Sequence, residues 1–156
     1  MDKLTILLPA MPLLSAMLIP LLAERSRRAV ARLSVSFGVL TFLLAAGSVA
    51  LYLNAGQPQW ALFGPGWGSL YLDPLTSVMA LMVSGISLVV HVYAIRYMAE
   101  ESGYARFYVL LDLMTAVILL MVAAGDLITL LVAWHLVGVL LYFLLGHDAG
   151  RPAAQR

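Results

Sequence analysis

Residues 127–145 read LITLLVAWHLVGVLLYFLL, an apolar run without a formal charge, interrupted by one imidazole. A run of about 18 or more such residues marks a transmembrane helix, because at 1.5 Å per residue it matches a hydrocarbon layer roughly 30 Å thick. Comparable runs occupy residues 4–23, 33–53, 73–98 and 106–125. Charged residues make up only 11% of the chain and mean hydropathy is +0.97, against about 25% charge in an average soluble domain. So few charges build no water-facing surface. The expected fold class is all-α integral membrane, with about five transmembrane helices at 4–23, 33–53, 73–98, 106–125 and 127–146.

The 156 residues leave no room for a separate soluble domain. They divide into two spans (1–53), an external loop (54–70), a three-helix portion (71–146) and a polar cytoplasmic tail (147–156). The first run does not read as a signal peptide: only Lys3 precedes it, it is too long for an h-region, and no Ala-x-Ala-like site follows. Pro9, Pro12 and Pro20 interrupt it and predict a kinked helix packed against others, with hydroxyls such as Ser15 satisfying the freed carbonyls. Ser34, Ser36, Gly38, Gly47 and Ser48 give the second run the small surface on which membrane helices approach closely. The stretch NAGQPQWALFGPGWGSL is too irregular for a span. It fits a short hairpin at the membrane surface, turning at Gly64-Pro65-Gly66 with Trp60 and Trp67 as interfacial anchors. Asp73 and Asp126 are placed as a helix cap and a turn residue.

Charge distribution sets an orientation. With loops 24–32, 99–106 and 147–156 on one side, all eight arginines fall there or at its border, and only Lys3 lies opposite. By the positive-inside rule this predicts an external amino terminus and a cytoplasmic carboxyl terminus in the cell inner membrane. A net charge of +1 carries no nucleic-acid signature. Without cysteine there is no disulfide, thiolate nucleophile or cysteine-ligated cluster. Neither a cofactor nor a metal is expected.

Ionisable groups at bilayer depth are costly and are functional-site candidates by default. Asp112, His135 and His91 stand in the fourth, fifth and third runs. Counted from the outer turn, their depths are roughly 21, 13 and 27 Å, a staircase that waters can bridge if all three face one interior. Thr115, one turn from Asp112, lines the same path. The expected role is a proton relay through Asp112, His135 and His91. Each has a bland alternative: a protonated Asp112 as packing glue, a His135 bonded to its own helix, and a His91 in a headgroup belt with Tyr93, Arg96 and Tyr97. Bis-histidine haem ligation by His91 and His135 fails on a depth difference of roughly 14 Å.

The series LDPLTSVMALMVSGISLVVHVYAIRYM, GYARFY and AGDLITLLVAWHLVGVLLYFLLG, over roughly residues 70 to 146, resembles the amino-terminal part of the antiporter-like subunits of NADH-quinone oxidoreductase, of the subunit L (subunit 5) type. It is similar also to the A subunit of multisubunit cation/proton antiporters and to the membrane subunit of energy-coupled inorganic-carbon pumps. The resemblance implies proton or cation translocation within a multisubunit membrane complex, with other integral membrane subunits as partners. It implies no redox centre in this chain. In the subunit L pattern the residue after the fifth-span tryptophan is a glutamate; here it is His135, and Asp112 stands where the family commonly has asparagine. The family continues through further spans with central lysines, so the chain is expected to be the first part of a longer fold, a fragment or a split subunit. A non-conducting structural piece is the remaining alternative.

Overall fold

The computed structural model describes residues 3–24, 26–55, 59–64, 67–101 and 103–146. The chain forms α1 (Lys3–Ala23), α2 (Arg27–Ala55), a hairpin of β1 (Gln59–Gly64) and β2 (Trp67–Leu72), then α3 (Pro74–Tyr97), α4 (Tyr104–Val122) and α5 (Leu127–Leu145). All five helices are long and apolar enough to cross a membrane. Their outward faces carry Leu13, Leu43, Val89 and Leu131 among many exposed apolar side chains, as lipid contact requires and water would not tolerate.

Two helix starts differ from the sequence expectation for physical reasons. α2 begins at Arg27 and not at residue 33, because Ser26 O accepts from Ala29 N at 3.1 Å and Val30 N at 3.2 Å and so opens the helix. Arginine is a good helix former whose long stem carries its charge back to the interface, so Arg27, Arg28 and Arg32 ride on the helix without ending it. α4 begins at Tyr104, where Gly103 supplies a left-handed φ of 84° that side chains other than glycine rarely adopt. The Tyr104 hydroxyl donates to Ala23 O at 2.6 Å. Arg27 covers the Tyr104 ring at 4.8 Å and donates to Ala99 O at 3.0 Å and Glu101 O at 3.2 Å, so one side chain fastens the α3–α4 turn to the start of α2.

α4 ends at Val122, three residues early, because the next segment joins the sheet. Tyr71 N donates to Ala123 O at 2.7 Å and Gly125 N to Ser69 O at 2.8 Å, with Leu70 opposite Ala124. The hairpin expected within residues 54–70 is present, with Gln59 opposite Leu72 and Gly64 opposite Trp67. Its turn residues 65 and 66, the Trp60 and Trp67 side chains and the tail from residue 147 lie outside the described residues.

Asp73 caps α3 as expected, and Asp126, expected as a turn residue, proves to be the N-cap of α5. Asp73 accepts from Thr76 N at 2.6 Å, with Pro74 in the first turn. Asp126 accepts from Thr129 N at 2.8 Å, and its other oxygen takes the Ser69 N–H at 2.7 Å and the Ser69 hydroxyl at 2.8 Å. Asp126 thus ties β2 to α5 as well as capping the helix. The Thr129 backbone bond, followed by the Thr129 and Ser69 bonds, holds its carboxyl far below the ordinary value of 3.8. A carboxyl acidified by folding stabilises the fold above its unfolded value and loses that contribution only as pH falls through the folded one. The tether is therefore expected to survive mild acid, and Asp126→Ala to lower the melting temperature at neutral pH more than Asp126→Asn, which keeps an acceptor.

α1 packs on α2 and α4, α2 on α3, and α3 on α4, while α5 leans on α4 and β2. Two apolar clusters fill the four-helix interior. Ile19, Val30, Ala31, Ala94, Met98 and Tyr108 fill the arginine-bearing end; Leu8, Ala45, Leu72, Ala80 and Leu119 fill the sheet-bearing end. On every one of the four helices, the residues between these clusters include a buried polar one: Ser15, Ser34, His91 and Asp112.

Candidate functional site: a buried His–Asp pair

The polar layer sits where four helices place small or short side chains at one depth. Measured from the arginine-bearing ends of their helices, Ser15, Ser34, His91 and Asp112 lie at roughly 12, 11, 9 and 12 Å. His91 and Asp112 are each 1% exposed. His91 Nε2 meets Asp112 Oδ1 at 2.9 Å. The other carboxyl oxygen, Oδ2, accepts the Ser15 hydroxyl at 2.6 Å and the Ser34 hydroxyl at 2.9 Å.

The protonation pattern follows from the partners. His91 Nδ1 lies 2.6 Å from Ser87 O, and a carbonyl only accepts, so Nδ1 carries a proton. A second proton must then lie between Nε2 and Oδ1. It sits on nitrogen as imidazolium facing carboxylate, or on oxygen as carboxylic acid facing imidazole. Moving between these states shifts one proton across one hydrogen bond and leaves the net charge of the pair unchanged, so no unpaired charge is left in the buried site.

The hydrogen bonding continues toward the sheet side. Thr115 Oγ1 donates to Leu111 O at 2.9 Å, which leaves its oxygen to accept from Ser87 Oγ at 2.6 Å. Ser87 Oγ in turn lies 3.3 Å from His91 Nδ1. Ser87 and Thr115 also line an otherwise apolar groove of about 250 Å³ between α3 and α4, beside Val83, Met114 and Ile118.

Of the residues singled out in the sequence, the structure gathers Asp112, His91 and Thr115 into one chain of hydrogen bonds. The expected staircase is absent: His91 touches Asp112 directly. Depth had been counted from the far ends, and α3 (24 residues) is longer than α4 (19 residues), which inflated the step. The headgroup-belt alternative for His91 does not describe its position, since Tyr93 and Tyr97 stack at 5.9 Å on the exposed face while His91 points inward. His135 does not join the cluster. It is exposed on α5, its Nδ1 lies 2.7 Å from Leu131 O of its own helix, and it lines a surface groove of about 610 Å³ with Trp134, Gly138 and Tyr142.

Sequence reasoning assigned Ser15 to freed proline carbonyls and Ser34 to close helix packing, and it did not connect either with Asp112. The Ser34 contact was hidden because a helix starting at residue 33 puts Ser34 at the membrane surface, while the true start at Arg27 carries it two turns deep. Counting depth from the arginine-bearing ends would have brought Ser15, His91 and Asp112 to one level; Ser34 joins them only once the start at Arg27 is known. Among the described residues no group of three or more His, Asp or Glu converges as a metal site.

Five apolar helices, four of them around a buried His–Asp layer, define a multi-pass membrane protein, and the comparisons specify which. Residues 68–108 match the family described as NADH-ubiquinone oxidoreductase (complex I), chain 5 N-terminus. The chain is 58% identical to the probable inorganic carbon transporter subunit DabB1 of Halothiobacillus neapolitanus, over 96% of this chain and 27% of that protein. It is 31% identical to NADH-quinone oxidoreductase subunit L of Rickettsia typhi, over 99% of this chain and 25% of that protein. A subunit in the structure of the membrane-bound sulfane sulfur reductase, an archaeal respiratory membrane complex, superposes with a TM-score of 0.87 at 21% identity, covering 99% of this chain and 32% of that one. The chain belongs to the superfamily of antiporter-like membrane subunits that includes subunit L and the inorganic carbon transporter subunit, and it matches their amino-terminal part. It spans about a quarter of the length of these curated relatives.

Proposed function

We propose that this chain is the amino-terminal module of a proton- or cation-translocating membrane subunit, and that the buried His91–Asp112 pair is its proton-exchanging group. The observation that carries the reading is the pair itself: two titratable side chains in mutual contact, 1% exposed, at the centre of a bundle otherwise filled with apolar residues and hydroxyls. Such groups in a membrane interior mark ion pathways. Ser87 and Thr115 extend the pathway toward the α3–α4 groove. His135, on the outer face of α5, contributes from a different position, facing whatever further spans pack there.

The module works inside a larger assembly in the inner membrane, with other integral membrane subunits as partners. Arg27, Arg28, Arg32, Arg96 and Arg106 cluster at one end of the bundle, which supports a cytoplasmic location for that end. Of the two complexes suggested by the relatives, the 58% identity to the inorganic carbon transporter subunit, against 31% to subunit L, favours the former.

The assembled complex, purified with its co-isolating subunits and sealed in vesicles, is expected to take up labelled inorganic carbon in a manner abolished by collapsing the proton gradient. NADH-dependent quinone reduction with no carbon uptake would assign it to the oxidoreductase class. Transport indifferent to proton and cation gradients alike would overturn the proposal. Within the same preparation, His135→Ala is expected to impair coupling while shifting stability by less than about 0.5 kcal/mol, since its ring bonds only its own helix. Thermal unfolding monitored beside transport checks both halves.

A further inference from the structure

Between the arginine-bearing ends of α2, α3 and α4 lies a cavity of about 470 Å³, within the range of about 300–1,000 Å³ usual for small-molecule sites. Its rim is charged and exposed, with Arg27 and Arg28 from the first turn of α2 and Glu100 from the α3–α4 turn. Its floor, formed by Ala94, Met98 and Tyr108, is buried, so the cavity is closed toward the His91–Asp112 pair. On the α3 side the wall is Ile95, 44% exposed, which belongs also to the outward apolar face of the bundle. The site lies at headgroup level. α4, with 19 residues, is about 28 Å long against a hydrocarbon layer of about 30 Å, and Arg27 and Tyr104 are the first residues of α2 and α4. The stacked Tyr93 and Tyr97 on the exposed face of α3 form the kind of aromatic belt found at that boundary.

We infer that this cavity is a site for one anionic phospholipid, with its phosphate diester held by Arg27 and Arg28 and the start of an acyl chain laid against Ile95. Arg27 is fixed in place, since its Nη1 donates to Ala99 O and Glu101 O and its guanidinium covers the Tyr104 ring. Both bonds leave from Nη1 and end on neutral carbonyls, so the charge is undiminished and Nη2 and Nε keep their protons for another acceptor. Among the described residues neither Arg27 nor Arg28 is ion-paired with a carboxylate. Two guanidiniums against the one carboxylate of Glu100 leave one positive charge in excess, which one phosphate diester matches. Arginine meets phosphate through parallel N–H donors, and basic pockets between membrane helices at this level suit anionic headgroups. An acidic protein segment or a free phosphate would answer the charge and gain nothing from the apolar wall. A lipid seated here joins α2 to the α3–α4 turn, adding to the fastening that Arg27 already makes.

The test counts lipid retained by the whole complex, by native mass spectrometry, after equilibration with vesicles of mixed phosphatidylglycerol and phosphatidylcholine. Comparing variants with wild type cancels the lipids held by other subunits. Arg28 has no side-chain partner among the described residues, so Arg28→Gln is expected to leave the fold intact while weakening phosphatidylglycerol retention about tenfold, as the loss of one charge-assisted bond implies. Arg32→Gln, one turn further along α2 and outside the cavity, is expected to leave retention unchanged. Glu100→Gln removes the one opposing charge and is expected to strengthen it. Equal losses in Arg28→Gln and Arg32→Gln would reduce the effect to diffuse surface charge and overturn the site. Weaker retention in Glu100→Gln, or phosphatidylcholine held as well as phosphatidylglycerol, would overturn the anionic headgroup. Displacement of the lipid by inorganic phosphate at matched ionic strength would overturn the role of the apolar wall and with it the choice of a lipid.

Discussion

Asp112→Asn is expected to reduce proton-coupled turnover of the assembled complex by about 10²-fold or more while leaving the bundle folded. The two halves of this expectation come from the same geometry. An asparagine in this position offers its Oδ1 to the Ser15 and Ser34 hydroxyls, as Asp112 Oδ2 does at 2.6 and 2.9 Å. Its amide nitrogen donates to His91 Nε2, which is free to accept once Nδ1 holds its proton against Ser87 O. Every buried partner remains satisfied. What is lost is the second proton-accepting site, without which the shared proton has nowhere to go. Asp112→Leu is a different experiment, because it strands a histidine nitrogen and two serine hydroxyls, each costing about 1–3 kcal/mol. Its loss of function would not separate assembly from chemistry.

His91→Phe is the counterpart with the largest expected effect on stability. Phenylalanine keeps much of the ring volume beside Tyr108 but removes both nitrogens. Asp112 Oδ1 loses its partner and is left buried and unsatisfied. Breaking one side of a buried pair costs about 3–5 kcal/mol, so a lowered melting temperature is expected together with lost transport. The double variant His91→Phe with Asp112→Leu is expected to recover much of the stability and none of the transport, since replacing both partners leaves no orphan of the pair itself. Thermal unfolding of the three variants beside vesicle transport measures both quantities.

The outline of this fold was legible because hydrocarbon imposes a length and a polarity on every span, and the five runs obey both. The cap at Asp73 was legible for a local reason, since it satisfies the amide three residues on; Asp126 makes the same bond to Thr129 N but was placed only as a turn residue. The edges misread were those set by tertiary contacts. Arg27 belongs to α2 because its guanidinium reaches carbonyls in the α3–α4 turn, and Ala123–Gly125 leave α4 because β2 takes their backbone groups. Neither partner is visible in a local window.

The same distinction governs the site. Asp112 and His91 announced themselves as charges in apolar runs, and Thr115 by its spacing on α4. Ser15 and Ser34 did not, because a hydroxyl in a membrane helix usually bonds a carbonyl one turn back, as Thr41 does to Phe37 O and Ser84 to Ala80 O. Only the meeting of α1, α2 and α4 turns these two serines toward Asp112. His135 shows the converse. It had the same sequence signal as His91, yet Ala133 is the only residue of α5 that is buried, so a polar residue on that helix faces outward.

Infrared difference spectroscopy of the energised complex addresses the pair most directly, because a protonated buried carboxyl has a carbonyl stretch distinct from that of a carboxylate. Turnover in the wild type is expected to produce a difference band from a buried carboxyl that changes protonation, absent in Asp112→Asn and altered in His91→Phe. Undiminished transport with Asp112 fixed in one protonation state throughout the cycle would contradict the assignment of this pair as the proton-exchanging group.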